Sequence, residues 1–333
     1  MTKILITGSH GFLGHHVVKA LDRYSKSYWR VVDMDIMTPT HNELDLLDKH
    51  SIAEYMACNN PDMVIHLAAK CGGIGVNREK PGEFLYDNLM MTTNLIESCR
   101  HETVSLVRSC HPDGSYRRHH PIKKFVGIGT VCSYPRNTPV PFREKDLFNG
   151  YPEETNAPYG IAKRVQLEML KAYRAQYGFN GIFLIPVNLF GEHDNFDDDS
   201  SHVIPAMLKK FHRAKLAGDP FVTLWGDGSA SREFLYVGDC AEAILQATLH
   251  YDNPDPVNIG TGKEITIRDL AHTIKDVVGY EGEIRWDTSK PNGQPRRQLD
   301  VSRAKERFGF EAKSNFRSTL INTYKWAQEN GVL

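Results

Sequence analysis

Tyr159 and Lys163 stand four residues apart in TNAPYGIAK, the stretch from Thr155 to Lys163. In a helix that spacing puts both side chains on one face. A free phenol ionises only near pH ~10. A lysine ammonium one turn away stabilises the phenolate and draws its pKa toward working pH. The pair is therefore suited to moving a proton on or off a carbinol oxygen. Any amphipathic helix can carry the same spacing, so its meaning depends on the elements that position it.

Those elements begin at the N-terminus. Lys3 to Thr7 (KILIT) is a β-prone apolar run that leads into Gly8, Gly11 and Gly14 of TGSHGFLG, with Phe12 and Leu13 opening a helical pattern. A strand, a glycine turn and a helix in that order bring a pyrophosphate against backbone N–H groups. Trp29 to Val32 (WRVV) reads as a second strand ending in Asp33 and Asp35, where a carboxylate would meet an adenosine ribose. DMVIHLAA (Asp62 to Ala69) reads as a fourth strand with its cofactor-facing turn Leu67, Ala68 and Ala69. NLMMTTNLIESC (Asn88 to Cys99) reads as the following helix and KKFVGIGT (Lys123 to Thr130) as the fifth strand.

Together these features resemble the extended short-chain dehydrogenase/reductase family. The finer resemblance, from about Thr2 to Asn330, is to its GDP-L-fucose synthase branch. It rests on KCGGIGVNREKPGEFLYDN, VCSYPR, EETNAPYGIAK, PVNLFGEHDNF, SHVIPAMLKKFH and WGDGSASREFLYVGD. The fold it implies is α/β: a Rossmann-type doubly wound parallel sheet with a smaller C-terminal α/β substrate-binding domain. The dinucleotide-binding domain is expected over 1–187, with returns near 232–262, and 188–333 is expected to be predominantly substrate-binding. Within those returns, the sheet should be rejoined near Arg232 to Val237 and near Val257 to Ile259.

The activity implied is epimerisation of a GDP-4-keto-6-deoxy sugar at C3 and C5, then hydride reduction at C4. The C–H bonds beside a ketone are acidic because the carbanion delocalises as an enolate, so inversion needs one group to take a proton and another to return it. The resemblance assigns that work to Cys132 and His202, both able to exchange protons near neutrality. At C4, Tyr159 would protonate the oxygen, Thr130 would hydrogen-bond it, and Lys163 would hold the nicotinamide ribose. Extended reductases that dehydrate sugars carry an Asp-Glu pair where Val131 and Cys132 stand, which argues against a dehydratase. A simple 4-epimerase has no use for the Cys132 and His202 pair, and a non-catalytic sensor has no use for the whole set. A reductase acting on a related GDP-heptose is the nearest alternative.

The resemblance also carries over Pro186, Asn188, Leu189 and His202 to the cofactor, and Asn188, Lys210, Trp225, Arg232 and Asn292 to the substrate. Arginine suits a nucleotide diphosphate because its fork meets phosphate oxygens in pairs. For the cofactor, family likeness favours NADP(H), with His10 and His41 near the 2′-phosphate and Asp45 near the adenine. Asp33 and Asp35 at a strand end would instead favour NAD(H), since a carboxylate there accepts ribose hydroxyls and repels a phosphate.

The chain of 333 residues balances 40 basic against 41 acidic side chains, which gives no global drive toward nucleic acid or membrane. No apolar run approaches the roughly 18 residues of a membrane span. Six cysteines without a CxxC pair suit a reducing, cytoplasmic compartment. His101 to Lys124 is rich in Arg and His and is expected to be an exposed loop. The spacing of His101, Cys110, His111, His119 and His120 fits no familiar metal pattern. A homodimer is expected through two long helices, Asn88 to Cys99 and Ala157 to Tyr177.

Overall fold

The computed structural model describes residues 1–27, 33–72, 74–100, 102–106, 116–290 and 292–333. Its first strands are β1 (Thr2–Thr7), β2 (Met34–Met37), β3 (Met63–His66), β4 (Thr103–Leu106) and β5 (Tyr116–His119). Then come β6 (Lys124–Ile128), β7 (Gly181–Pro186), β8 (Asn188–Phe190) and β9 (Phe221–Trp225). The last are β10 (Ser231–Tyr236), β11 (Val257–Ile259), β12 (Glu264–Thr266) and β13 (Glu283–Asp287). The helices are α1 (Phe12–Ser27), α2 (Lys49–Asn59), α3 (Ile74–Glu79), α4 (Pro81–Arg100) and α5 (Ala157–Tyr177). They continue with α6 (Val203–Ala217), α7 (Val237–His250), α8 (Ile267–Val278), α9 (Ser302–Phe308) and α10 (Phe316–Glu329).

Six parallel strands form the main sheet in the order β11-β7-β6-β3-β1-β2. Helices on both faces explain why its strands are apolar without alternation: Ile4, Leu5 and Ile6 are all buried. The core around this sheet gathers residues from β1 through Val187 and again from Leu235 to Phe310. A second core joins Phe190, Phe211, Leu224, Leu270 and Leu320. The expected return to the main sheet near 257–259 is present as β11. The one near 232–237 is not, because β10 pairs with β8 and β12 in a separate three-stranded sheet.

Three further expectations need correction. The strand over Met63–His66 is the third along the chain, not the fourth. The 101–124 segment is more than a loop, because β4 and β5 pair antiparallel with Thr103 opposite His119; His119 is buried, and the His120 N–H donates to Asn60 Oδ1 at 3.0 Å. His101, Cys110 and His111 lie outside the described residues, as do Trp29 to Val32. Among the cysteines, Cys71, Cys99, Cys132 and Cys240 are free thiols, whereas Cys58 is disulfide-bonded, a departure from a fully reduced set. Among the described residues no helix is long and apolar enough to cross a membrane.

Candidate active site

The glycine turn after β1 works by close approach. Gly8 sits at φ +72°, a region that penalises any side chain, and a Cβ there would lie 2.7 Å from the Ala68 nitrogen. A Cβ on Gly14 would lie 2.2 Å from the Gly8 carbonyl oxygen. The first turn of α1, with Phe12 and Leu13, is thereby pressed against the turn, and Leu67, Ala68 and Ala69 after β3 form the facing wall. This cradle fits a dinucleotide pyrophosphate.

β2 changes the reading of Asp33 and Asp35. Asp35 lies inside the strand opposite Lys3, and Asp33 precedes it, accepting the Thr2 N–H through its carbonyl at 2.7 Å. Both stand at the end of the sheet remote from Gly8, about 15 Å away at the rise of a strand. They were expected at the strand's finish, and the register places them at its start, so neither reaches the glycine turn. The segment that does follow β2 carries exposed His41 and a carboxylate the sequence reading passed over. Glu43 accepts both the backbone N–H and the hydroxyl of Thr40 at 2.8 Å, which lowers its pKa, with His10 adding to that effect. Asp45 is engaged locally, accepting the Leu47 N–H at 2.9 Å.

The proton-transfer residues are held together by α5. Its N-terminus has Pro158 in the first turn, and it ends at Gly178 in the left-handed region. The 3-10 turn Val131–Ser133 packs on it so closely that a Cβ on Gly160 would come 2.7 Å from the Cys132 carbonyl oxygen. Ser133 Oγ donates to the Gly160 carbonyl at 3.1 Å, and Arg164 Nε donates to the Ser133 carbonyl at 2.7 Å. Thr130 caps this turn, its Oγ accepting the Cys132 N–H at 3.2 Å, so its own O–H remains the group to offer a substrate. Cys132 is half-buried on the same turn.

Electrostatics in this cleft differ from the sequence expectation. Burial, with Cys71 and Cys132 nearby, holds Tyr159 well above the ordinary phenol range; Lys163 lies 5.9 Å from its ring centroid and does not pull it down. Lys163 itself is buried, and desolvation lowers its pKa to about 8, with Cys71 opposing the shift. Beneath it His66, at about 3 through burial first and Lys163 second, is neutral between Thr7 Oγ at 2.7 Å and Thr92 Oγ at 3.1 Å. Tyr159 is therefore a proton-loaded acid, suited to reduction rather than to acting as a resting base.

His202 stands at the start of α6, exposed, with Nδ1 3.9 Å from Oδ1 of buried Asp194. That is ion-pair range rather than a hydrogen bond. The carboxylate raises the His202 pKa against the opposing effect of burial. Asp194 and Cys71 went unnoticed in the sequence, yet Cys71 feels both Lys163 and Asp194, which joins the His202 corner to the Tyr159–Lys163 pair. Cys71 is exposed as a residue, while packing about its sulfur pushes its thiol up.

The expected substrate residues divide. Asn188 Nδ2 donates to the Glu233 carbonyl at 2.9 Å, joining β8 to β10; Pro186 ends β7 and Leu189 lies within β8. Arg232 on β10 is brought to about 10 by desolvation first and Arg297 second, with Cys132 opposing. Trp225 ends β9 with 67% of its surface exposed, Lys290 5.7 Å above its ring, and Lys210 is exposed on α6. Asn292 Oδ1 accepts the Asp227 N–H at 2.9 Å, so this residue braces the 226–228 turn.

The chain is 37% identical over 328 residues to GDP-L-fucose synthase 1 of Arabidopsis thaliana, covering 98% of this chain and 94% of that one. A GDP-6-OMe-4-keto-L-xylo-heptose reductase from C. jejuni superposes with a TM-score of 0.84 at 28% identity, covering 99% and 98% of the two chains. A GDP-L-fucose synthetase from Naegleria fowleri, bound to NADP, gives 0.84 at 25% identity over 99% and 95%. Residues 4–260 match the model of the NAD dependent epimerase/dehydratase family, and the chain belongs to that family.

Proposed function

We propose that this protein is an NADPH-dependent epimerase/reductase that converts GDP-4-keto-6-deoxy-D-mannose to GDP-L-fucose. The observation that carries the reading is the packing of the Val131–Ser133 turn on α5. It sets a thiol and a hydroxyl against the helix that carries Tyr159 and Lys163, and Cys71, which feels both Lys163 and Asp194, links that helix to the carboxylate-backed His202. A reductase alone needs only the hydroxyl, tyrosine and lysine.

Cys132 and His202 serve the two faces of C3 and C5. Cys132 takes the proton beside the ketone, and the C–H electron pair moves into the enolate. His202, whose charged form Asp194 favours, returns a proton from the other side. Thr130 and Tyr159 hydrogen-bond the C4 oxygen in both stages, stabilising the enolate and then the developing alkoxide. The Gly8–Gly14 turn and the Leu67–Ala69 wall would hold NADP(H), and Lys163 its nicotinamide ribose. When bound, the nicotinamide supplies a hydride to C4. Tyr159 then protonates O4, a step for which its fully protonated state is the right starting point. His10 and His41 would meet the 2′-phosphate, and Asp33 and Asp35 lie too far away to oppose it.

Arg232, Lys210 and Trp225 would receive the GDP portion. We also infer a homodimer through α4 and α5, which expose Tyr86, Val165 and Tyr177, and a cytoplasmic setting. Domain limits near 187 follow the change from one core to the other between Val187 and Phe190. Similarity to the C. jejuni heptose reductase supports a second reading, a related GDP-4-keto sugar. The test is oxidation of NADPH at 340 nm with GDP-4-keto-6-deoxy-mannose and product identification by NMR. GDP-L-fucose is expected; oxidation only with a heptose substrate would replace the first reading by the second.

A further inference from the structure

One charged side chain faces the Cys132 thiol without a role in this scheme. Arg297 lies on the segment after Asn292, which runs beside β10 and is fixed there by its backbone. The Ser231 N–H donates to the Pro295 carbonyl at 2.9 Å and the Glu233 N–H to the Arg297 carbonyl at 3.1 Å. The Leu299 N–H donates to Glu233 Oε2 at 2.7 Å. The guanidinium is fixed in turn: Nε and Nη2 both donate to Gln294 Oε1, at 3.2 and 3.0 Å. Because the guanidinium is planar and rigid, holding two of its nitrogens orients the third. That third nitrogen, Nη1, lies 3.6 Å from Cys132 Sγ.

Among the described residues no carboxylate pairs with Arg297. The Arg297 charge disfavours the neighbouring Arg232 cation, and Cys132 relieves it. Gln294 occupies the Nε/Nη2 edge, leaving Nη1 directed at the thiol.

We propose that Arg297 is a positioning residue for Cys132, whose Nη1–H holds the sulfur in place and favours the thiolate that removes the proton beside the substrate ketone. The proton passes from carbon to sulfur, the C–H pair enters the enolate, and nothing is oxidised or reduced. This rests on the assignment of Cys132 to proton transfer.

The test is peptide-resolved alkylation of Cys132 by iodoacetamide, a neutral probe, in the intact protein and in Arg297→Met, Arg297→Lys and Gln294→Met. An opposite charge in contact favours an ionised group by at least tenfold. At pH 7 Arg297→Met should therefore slow Cys132 alkylation by about tenfold, with the rates converging by pH 10. Arg297→Lys should retain part of the rate, and Gln294→Met should fall between. These two variants decide the matter should Arg297→Met not fold, as judged by NADPH binding. Equal rates at pH 7 across the folded variants overturn the proposal. So does unchanged alkylation with a raised KM for the sugar, which would make Arg297 a substrate contact. Deuterium exchange into the keto sugar should fall in parallel with alkylation. Absence of exchange in the unmodified protein would sink the substrate assignment and leave the alkylation result to decide the role of Arg297.

Discussion

Lys163 is held in a position that favours the cofactor over the fold, and the size of that conflict can be worked out. Burial brings its pKa from 10.5 to about 8 in the cofactor-free protein. A shift of about 2.5 units corresponds to roughly 3 kcal/mol against the ammonium. Because the folded-state value is the lower one, the penalty is complete below pH ~8, where both states carry the proton, and it disappears as pH rises toward 10.5. Replacing Lys163 by methionine should then stabilise the cofactor-free protein by about 3 kcal/mol at pH 7 and by under about 1 kcal/mol at pH 10. For 333 residues the unfolding entropy is about 0.7 kcal/mol/K, so Tm should rise by about 4 °C at neutral pH. The assay is differential scanning calorimetry on protein freed of copurified nucleotide, at both pH values. The same variant should lose reductase activity, and the unmodified protein should take up about half a proton on binding NADP at pH 8. A Lys163→Met protein no more stable than its parent at pH 7 would refute this reasoning, because it would mean the ammonium is already satisfied in the empty site.

Other expectations follow from the same geometry. Tyr159→Phe should lower kcat for reduction by about 10²–10⁴-fold while leaving the NADPH dissociation constant unchanged in a fluorescence titration. Asp194→Asn removes the charge that raises the His202 pKa, so solvent deuterium exchange at C3 and C5 should weaken at pH 7–8 and recover on acidification. A pH profile that does not move would separate His202 from Asp194. Asp35→Asn should leave the NADPH-to-NADH ratio of kcat/KM untouched, since Asp35 lies opposite Lys3, whereas His41→Glu should shift it toward NADH. Val165→Glu, on the exposed face of α5, should yield a monomer in sedimentation analysis if α5 forms the dimer contact.

Local signals were legible where one element suffices to create them. The glycine turn, the apolar β1 and the Tyr159–Lys163 spacing each follow from short-range sterics or helical periodicity, and the fold returns them where the sequence put them. Asp33 and Asp35 were misread because strand register depends on the partner strand. Only pairing with β1 shows which end of β2 faces the cofactor, and a slip of a few residues moves a carboxylate the length of the sheet. β10 was assigned to the main sheet for a related reason: an apolar run says that a strand is buried, not which sheet it joins. The residues missed altogether, Cys71, Asp194 and Arg297, are brought to the site by no helical or strand period. Arg297 is 165 positions from Cys132, and even Asp194, close to His202 in sequence, meets it only through the path of the intervening loop.

In the proposed scheme these neighbours let one site run two proton chemistries. The C–H work at C3 and C5 needs groups that exchange protons near neutrality; Asp194 raises the His202 pKa, and Arg297 Nη1 lies 3.6 Å from Cys132 Sγ. Protonating O4 needs the opposite, a donor that stays loaded until charge appears on the oxygen, and burial holds Tyr159 in that state. The lysine that would loosen that proton is itself disfavoured as an ammonium until a ligand offers it partners. Filling the cradle therefore does more than bring in the reductant. It gives the Lys163 ammonium, already charged at pH 7 but disfavoured by burial, partners beside Tyr159 when there is a hydride to follow.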